Sequence, residues 1–316
     1  MRRDECRRHS GVKGMTAWWI GACLAFLATP VLASDDVTFS DNVNLVLLDV
    51  LVKDPHAGYV PGLGKDNFRV LEDGRSRAIT QFGAVDSPVT VGLVLDNSGS
   101  MRSKRDEVLQ AGLAFARESN SKDEFFVVNF NDWVVAGLPP RMPFTNSLSV
   151  LQHALFYGKP FGQTALYDAV SFGLHHLEFG HRDQRALIVV SDGGDNASKV
   201  SRAGILDQIE SSQATIYTIG LTDPENNDLN PAVLRKFAAI SGGTYFQPRT
   251  LDDVLPIFEE ISKDIRSRYT IGFAPGEATP GHELRSIKVS AGRDGQRFSV
   301  KTRTSYRVPT AGPGKV

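Results

Sequence analysis

From Val89 onward, apolar runs alternate with segments of helical periodicity, and no other feature of the 316-residue chain constrains its fold as tightly. Val89–Leu95, Glu124–Asn131, Ala186–Ser191 and Ala214–Leu221 have the length and composition of strands, and Thr244–Gln247 reads as a shorter one. Between them, Val108, Leu109, Gly112, Leu113 and Ala116 mark one helix face, and Leu166, Ala169, Val170, Gly173, Leu174 and Leu177 another. Val233, Leu234, Phe237 and Ala238 mark a third, and Leu251, Val254, Leu255, Phe258, Ile261 and Ile265 the last. That last helix should open at Thr250 or Leu251 and span 250–268, with Asp252 and Asp253 early and Lys263, Arg266 and Arg268 late, as the helix dipole favours. Strands separated by helices build a parallel sheet, because a parallel neighbour is reached only by a long crossover.

The flanks of this region have a different pattern. Val43–Lys53 is a long apolar strand rich in branched residues, followed by a turn over Pro55–Gly58. Phe68–Gly74 and Ala78–Phe82 flank a turn signal at Asp73-Gly74. After the last helix, Tyr269–Phe273, Arg285–Ser290 and Phe298–Thr302 read as strands between Pro- and Gly-rich turns. Such β segments can pair into one sandwich with the α/β region inserted between its halves.

Residues 1–33 read as an export signal. Arg2, Arg3, Arg7, Arg8 and Lys13 precede the apolar stretch Met15–Val31, and Val31-Leu32-Ala33 resembles a small-residue cleavage site. For a membrane anchor the stretch is short, and Pro30 breaks its end. Ile20-Gly21-Ala22-Cys23 loosely resembles a lipoprotein signal, but the apolar run continues past Cys23 to Ala33. Both cysteines, Cys6 and Cys23, leave with this segment, so the exported protein has no disulfide and must be stable through core packing. Subtracting its five basic and two acidic residues from the chain's 35 and 36 leaves a net charge of about −4, which does not favour nucleic acid or anionic membranes. Periplasmic or extracellular residence follows, without a stable membrane span. Pro309–Val316 reads as a disordered tail.

Chemistry gathers where the strands end. Asp96-Asn97-Ser98-Gly99-Ser100 directly follows Val89–Leu95 and offers a carboxylate and two hydroxyls at a strand-to-helix junction. Asp192 follows Ala186–Ser191, and Thr164 stands where the second helix begins. In open α/β sheets, ligands bind at the carboxyl ends of the strands, the edge where Asp96 and Asp192 lie. Singly, each feature has a plain explanation: an ordinary turn at Asp96–Ser100, a helix N-cap at Thr164, a strand-ending turn at Asp192-Gly193. Together they bring oxygen donors from three loops to one edge, and hard cations such as Mg²⁺ take oxygen donors.

These residues resemble the metal-ion-dependent adhesion site of the von Willebrand factor type A fold, with Asp96, Ser98, Ser100, Thr164 and Asp192 matching without substitution. The resemblance covers about residues 87–268. Leu48–Asp54, Asp66–Gly74, Ile79–Phe82 and Tyr269–Phe273 are similar to the flanks of secreted bacterial VWFA-related proteins of the acidobacterial type. The implied fold is α/β: a doubly wound, mostly parallel sheet carrying that site, flanked by β segments (34–86 and 269–308) that can form a small β-sandwich. By the same resemblance, Ser98 and Ser100 hold Mg²⁺ (or Mn²⁺ or Ca²⁺) directly, Thr164 does so in the ligand-bound state, and Asp96 and Asp192 act partly through water. An Asp or Glu carboxylate of a protein partner completes the shell, which makes an exported protein-binding module of the adhesion type. In related adhesion domains the last helix moves as the site opens, and the resemblance extends that coupling to 250–268. The alternative is a structural or assembly protein of the cell envelope whose metal only stabilises the scaffold.

Enzymatic motifs are absent from the sequence. It has no G-x-x-x-x-G-K-[ST] loop, no G-x-G-x-x-G after the first α/β strand, no G-x-S-x-G elbow and no H-E-x-x-H. His175 and His176 are adjacent on a helix and cannot both face one zinc site. A phosphatase using Asp96 as nucleophile would want an acid two residues on, where Ser98 stands. Asp223–Asp228 is acidic but lacks the Gly and terminal Glu of a calcium loop. Asp195 is near enough to Asp192 to orient a water or simply to cap the loop.

Overall fold

The computed structural model describes residues 45–221, 230–277 and 283–308. The export segment, the Asp223–Asp228 loop and the C-terminal tail lie outside them. No helix among the described residues is long and apolar enough to cross a membrane.

Five strands come first: β1 (Val46–Asp54), β2 (Gly58–Tyr59), β3 (Phe68–Glu72), β4 (Arg75–Arg77) and β5 (Ile79–Gly83). The α/β region then runs through β6 (Val89–Asp96), α1 (Arg105–Glu118), β7 (Glu124–Phe130), β8 (Val134–Ala136), α2 (Leu148–Leu155) and α3 (Leu166–Leu177). It continues through β9 (Gln184–Ser191), α4 (Arg202–Ser211), β10 (Thr215–Gly220), α5 (Pro231–Ser241), β11 (Tyr245–Phe246) and α6 (Val254–Arg266). Last come β12 (Arg268–Phe273), β13 (Leu284–Arg293), β14 (Gln296–Arg297), β15 (Ser299–Lys301) and β16 (Ser305–Arg307).

The α/β sheet has the order β11-β10-β9-β6-β7-β8, with only β8 antiparallel. Strand β6 is buried along its whole length because helices cover both faces of the sheet. The chain leaves β6 for β7 on one side and later returns to β9 on the other. The strand order therefore reverses at the carboxyl end of β6, where an open α/β sheet has its crevice.

The helix faces expected from periodicity point inward in α1, α3 and α5. Helix α6 departs at one position. Val254, Phe258, Ile261 and Ile265 are buried, but Leu255 is 44% exposed and Asp264 is buried instead. The polar position is tolerated because Tyr59 donates its hydroxyl hydrogen to Asp264 at 2.6 Å and Lys53 approaches within 3.5 Å. The helix proper starts at Val254, after a 3₁₀ turn over Leu251–Asp253 in which Asp253 accepts a hydrogen bond from the Thr250 amide.

The flanking strands interleave. Strand β1 pairs with β12 over Val46↔Phe273 to Leu51↔Arg268, and β13 pairs with β3 over Ile287↔Glu72 to Ala291↔Phe68. Each sheet of the sandwich thus contains N-terminal and C-terminal strands, in the orders β15-β1-β12-β5 and β14-β13-β3-β4. Leu48, Val50, Tyr269 and Ile271 share one core with Phe68, Val70, Ile287 and Tyr306 from the other sheet. The Asp73-Gly74 turn forms with both residues at positive φ, as a two-residue hairpin turn requires. Its second strand is Arg75–Arg77 rather than the expected Ala78–Phe82. Glu72, which has no exposed side chain, takes the Arg77 Nε–H at 2.6 Å and ends the hairpin, and β5 goes on to pair with β12 in the other sheet.

Arg268 joins the two parts of the fold. It is buried at the first position of β12 and donates to the Tyr217 hydroxyl at 2.9 Å, the Gly242 carbonyl at 2.9 Å and the Asp49 carbonyl at 3.2 Å. Tyr217 and Gly242 belong to the α/β region and Asp49 to the sandwich, so one guanidinium satisfies polar groups of both.

Candidate metal centre

Asp96 is the last residue of β6, and its carboxylate is buried by the strands on either side. Its Oδ1 accepts the Ser98 amide hydrogen at 2.8 Å, and its Oδ2 accepts the Ser191 hydroxyl hydrogen at 2.6 Å. Burial pushes the carboxyl up to about 6. The Ser191 and Ser98 hydrogen bonds oppose that rise, and the negative charge of Asp192 adds to it.

The turn after β6 points two hydroxyls back toward the sheet. Ser98 Oγ lies 3.1 Å from Ser100 Oγ, and Ser100 donates to Asp192 Oδ2 at 2.6 Å. Asp192 is itself fixed by the Gly194 amide, which donates to Oδ1 at 3.1 Å. Gly193 makes this turn possible. Its φ is +85°, and a Cβ there would stand 2.7 Å from the Asn230 carbonyl oxygen. Asp96, Ser98, Ser100 and Asp192 thus form one hydrogen-bonded chain built from two loops.

Thr164 is set beside this chain by its backbone. Its amide donates to Asn196 Oδ1 at 2.8 Å, and its carbonyl accepts from the Asn196 and Ala197 amides at 3.0 and 3.2 Å. On the other side, Gly99 donates to the Gly162 carbonyl at 3.2 Å and Phe161 to the Asn97 carbonyl at 3.0 Å. The second loop is therefore stitched to both of the others. Thr164 is not the N-cap of α3, a position held by Ala165 with no side-chain cap. Asp195 serves that helix end instead, accepting from the Tyr167 amide at 3.1 Å and the Ser198 hydroxyl at 2.6 Å.

The three loops that carry these residues are hydrogen-bonded to one another in the fold. Several supporting residues lay outside the sequence reading: Ser191 on Asp96, Asn196 on Thr164, and Asn97, which accepts from Arg105 Nε at 2.9 Å and donates to Asn129 Oδ1 at 3.0 Å. Polar residues at the ends of apolar strands, such as Asn129 and Ser191, were the available clue. The adjacent histidines part company. His176 packs 4.4 Å from the Phe126 ring, and His175 lies exposed beside Glu178.

This donor set suits a hard divalent cation. It comprises oxygens alone, and it holds a buried carboxylate next to a second one, an arrangement that positive charge relieves. Among the described residues no three His, Cys, Asp or Glu side chains cluster as metal ligands, so a cation here would depend on the hydroxyls as well as the two acids.

The family match and the first structural comparison agree with this architecture. Residues 91–194 match the family model for the von Willebrand factor type A domain. Among solved structures, the chain is similar to a von Willebrand factor type A from Catenulispora acidiphila, with 15% identity and a TM-score of 0.52 over 82% of this chain and 76% of that one. It is also similar to proximal thread matrix protein 1 from the mussel byssus, with 19% identity and a TM-score of 0.49 over 61% of this chain and 50% of that one. A third similarity is to the vWF domain of the type V pili tip protein Mfa5 from Porphyromonas gingivalis, with 13% identity and a TM-score of 0.44 over 62% and 99% of the two chains. No curated protein matches. The family match spans all three loops of the site, and the α/β fold surrounds them: residues 91–194 of this chain match the von Willebrand factor type A domain.

Proposed function

We propose that this protein is an exported, divalent-metal-dependent binding module that captures an Asp or Glu side chain of a protein partner. The observation that carries the reading is the hydrogen-bonded chain Asp96–Ser98–Ser100–Asp192 at the strand switch point, with Thr164 locked beside it. Asp96, Ser98, Ser100, Thr164 and Asp192 would hold Mg²⁺, Mn²⁺ or Ca²⁺. A cation with so few anionic ligands keeps residual positive charge and an exchangeable position that an incoming carboxylate can take. The chain's own part is to preorganise the oxygens. Ser191 fixes Asp96, Gly194 fixes Asp192, and Asn196 fixes the Thr164 backbone. The sandwich built from both flanks supports membership of the secreted acidobacterial-type group, and residues 1–33 support export.

Capture from an envelope extract by the immobilised chain tests the reading. Partner retention in Mg²⁺, release in EDTA and loss in Asp96→Ala and Ser98→Ala variants that still fold are expected. Retention in EDTA together with a sharp fall in unfolding midpoint would instead favour the envelope-scaffold role, in which the metal only stabilises the fold.

A further inference from the structure

The α/β sheet has an open edge beside the metal loops. Strand β8 is the last in the strand order and pairs only with β7, through Phe130↔Val134, Asn129↔Val135 and Val128↔Ala136. The Asn131 amide donates to the Trp133 carbonyl and the Gly137 amide to the Val127 carbonyl. In an antiparallel ladder the bonded positions alternate, so Trp133, Val135 and Gly137 face β7. Val134 and Ala136 therefore turn their N–H and C=O groups outward, where no described residue pairs with them. Native sheets usually cover or charge such an edge. Here Val135 and Ala136 are exposed.

Two hollows flank this edge. One, of about 360 Å³, is lined by Asn97, Trp133, Val135, Tyr157, Lys159 and Phe161. The other, of about 550 Å³, is lined by Val135, Leu138, Val150, His153 and Tyr157 among others. Trp133, Tyr157 and Phe161 are 69%, 59% and 53% exposed, an unusual concentration of aromatic surface. The Asn97 and Asn129 amides in the first hollow are already bonded to Arg105, to each other and to the Ala154 carbonyl, and Trp133, Val135, Tyr157 and Phe161 supply its apolar surface. Lys159 stands exposed at its rim and joins no ion pair among the described residues. The hollow is continuous with the metal loops, since Asn97 precedes Ser98 and its carbonyl holds the Phe161 amide.

We infer that the partner presents an extended acidic segment that adds to β8 as a further strand. Its carboxylate lies at the Asp96–Asp192 site, and a bulky apolar side chain two positions along fills the space between Trp133, Tyr157 and Phe161. This assignment rests on the binding function proposed above. Strand addition supplies the missing partners of Val134 and Ala136, and the period-two alternation of the added strand places every second side chain on the hollow side. Lys159 favours a further acidic residue of the segment, which accounts for an acidic partner meeting a chain whose own net charge is negative.

The test uses the exported chain and a displayed library of random linear peptides, selected in Mg²⁺ and re-measured in EDTA. The expected consensus is an Asp or Glu with an aromatic or large aliphatic residue at the second position from it. Bound peptide should slow amide hydrogen exchange at Val134 and Ala136 in the unmodified chain. Ala136→Pro, which removes only an outward-facing donor, should weaken binding by about tenfold. Peptides that require Mg²⁺ and Asp96 but leave Val134 and Ala136 unprotected would overturn strand addition and leave the metal reading intact. Peptides that protect β8 yet bind equally in EDTA would overturn the metal reading. Failure to enrich any acidic sequence counts against the docking edge.

Discussion

Ser100 donates its hydroxyl hydrogen to Asp192 at 2.6 Å across 92 positions of sequence. This bond ties the loop after β6 to the loop after β9 and fixes the distance between the two halves of the donor set. Ser100→Ala should cost about 1 kcal/mol without metal, the ordinary value of one hydrogen bond. Saturating Mg²⁺ should raise the wild-type unfolding midpoint, by a stabilisation of about 2.7 kcal/mol at a hundredfold excess over Kd. The variant should lose most of that rise. Calorimetric melts in Mg²⁺ and in EDTA measure both effects, and an undiminished rise in the variant would remove Ser100 from the ligand set.

Gly193 is the backbone counterpart of this bond. At φ +85°, with the Asn230 carbonyl 2.7 Å from any added Cβ, Gly193→Ala combines left-handed strain with a backbone clash. A loss of about 1–3 kcal/mol in urea unfolding is expected. Because Asp192 is adjacent, Mg²⁺ affinity should fall as well, read by isothermal titration.

Arg268→Ala tests the junction between sandwich and α/β sheet. Removing the buried guanidinium leaves the Tyr217 hydroxyl and the Gly242 and Asp49 carbonyls without their partner. A destabilisation of about 3–5 kcal/mol follows from breaking a buried charged network. Circular dichroism and tryptophan fluorescence should then report separate transitions, whereas in the wild type they should coincide.

Asp49 gives the junction a pH dependence. Burial pushes its carboxyl up to about 6 from 3.8, against the opposing charge of Arg268 and the Thr215 hydrogen bond. The native state therefore favours the protonated acid. Its contribution to stability is fully present below pH 3.8, is lost as pH rises to about 6 and is constant beyond that. Asp49→Asn should remove this fall, which is at most about 3 kcal/mol. The difference between variant and wild-type unfolding free energies, measured from pH 4 to pH 7, should grow with pH in the variant's favour; a flat difference contradicts it.

The sequence made the parallel core legible because β6, β7, β9 and β10 are continuous apolar runs and α1, α3 and α5 have wide apolar faces. Helix α4 was hidden because it buries only Ile205 and Ile209, and α2 because it is eight residues long. Strand β8 has three residues, too few for a period to register. Asp96, Ser98 and Ser100 were visible as a local motif, and Thr164 and Asp192 only through their places at element ends. Asn196 and Arg268 act across long sequence separations, and nothing in their immediate neighbourhood marks them, whereas Ser191 shows only as a polar residue ending an apolar strand. Leu255 was misplaced because an apolar residue beside a helical stripe satisfies the pattern without belonging to the buried face.

Anomalous diffraction from crystals of the exported chain saturated with Mn²⁺ is the most direct test of the metal centre. One strong peak is expected, bounded by Asp96, Ser98, Ser100, Thr164 and Asp192, and lost in Asp96→Ala crystals treated in the same way. Mn²⁺-saturated crystals with no anomalous density among these five residues would contradict the proposed function.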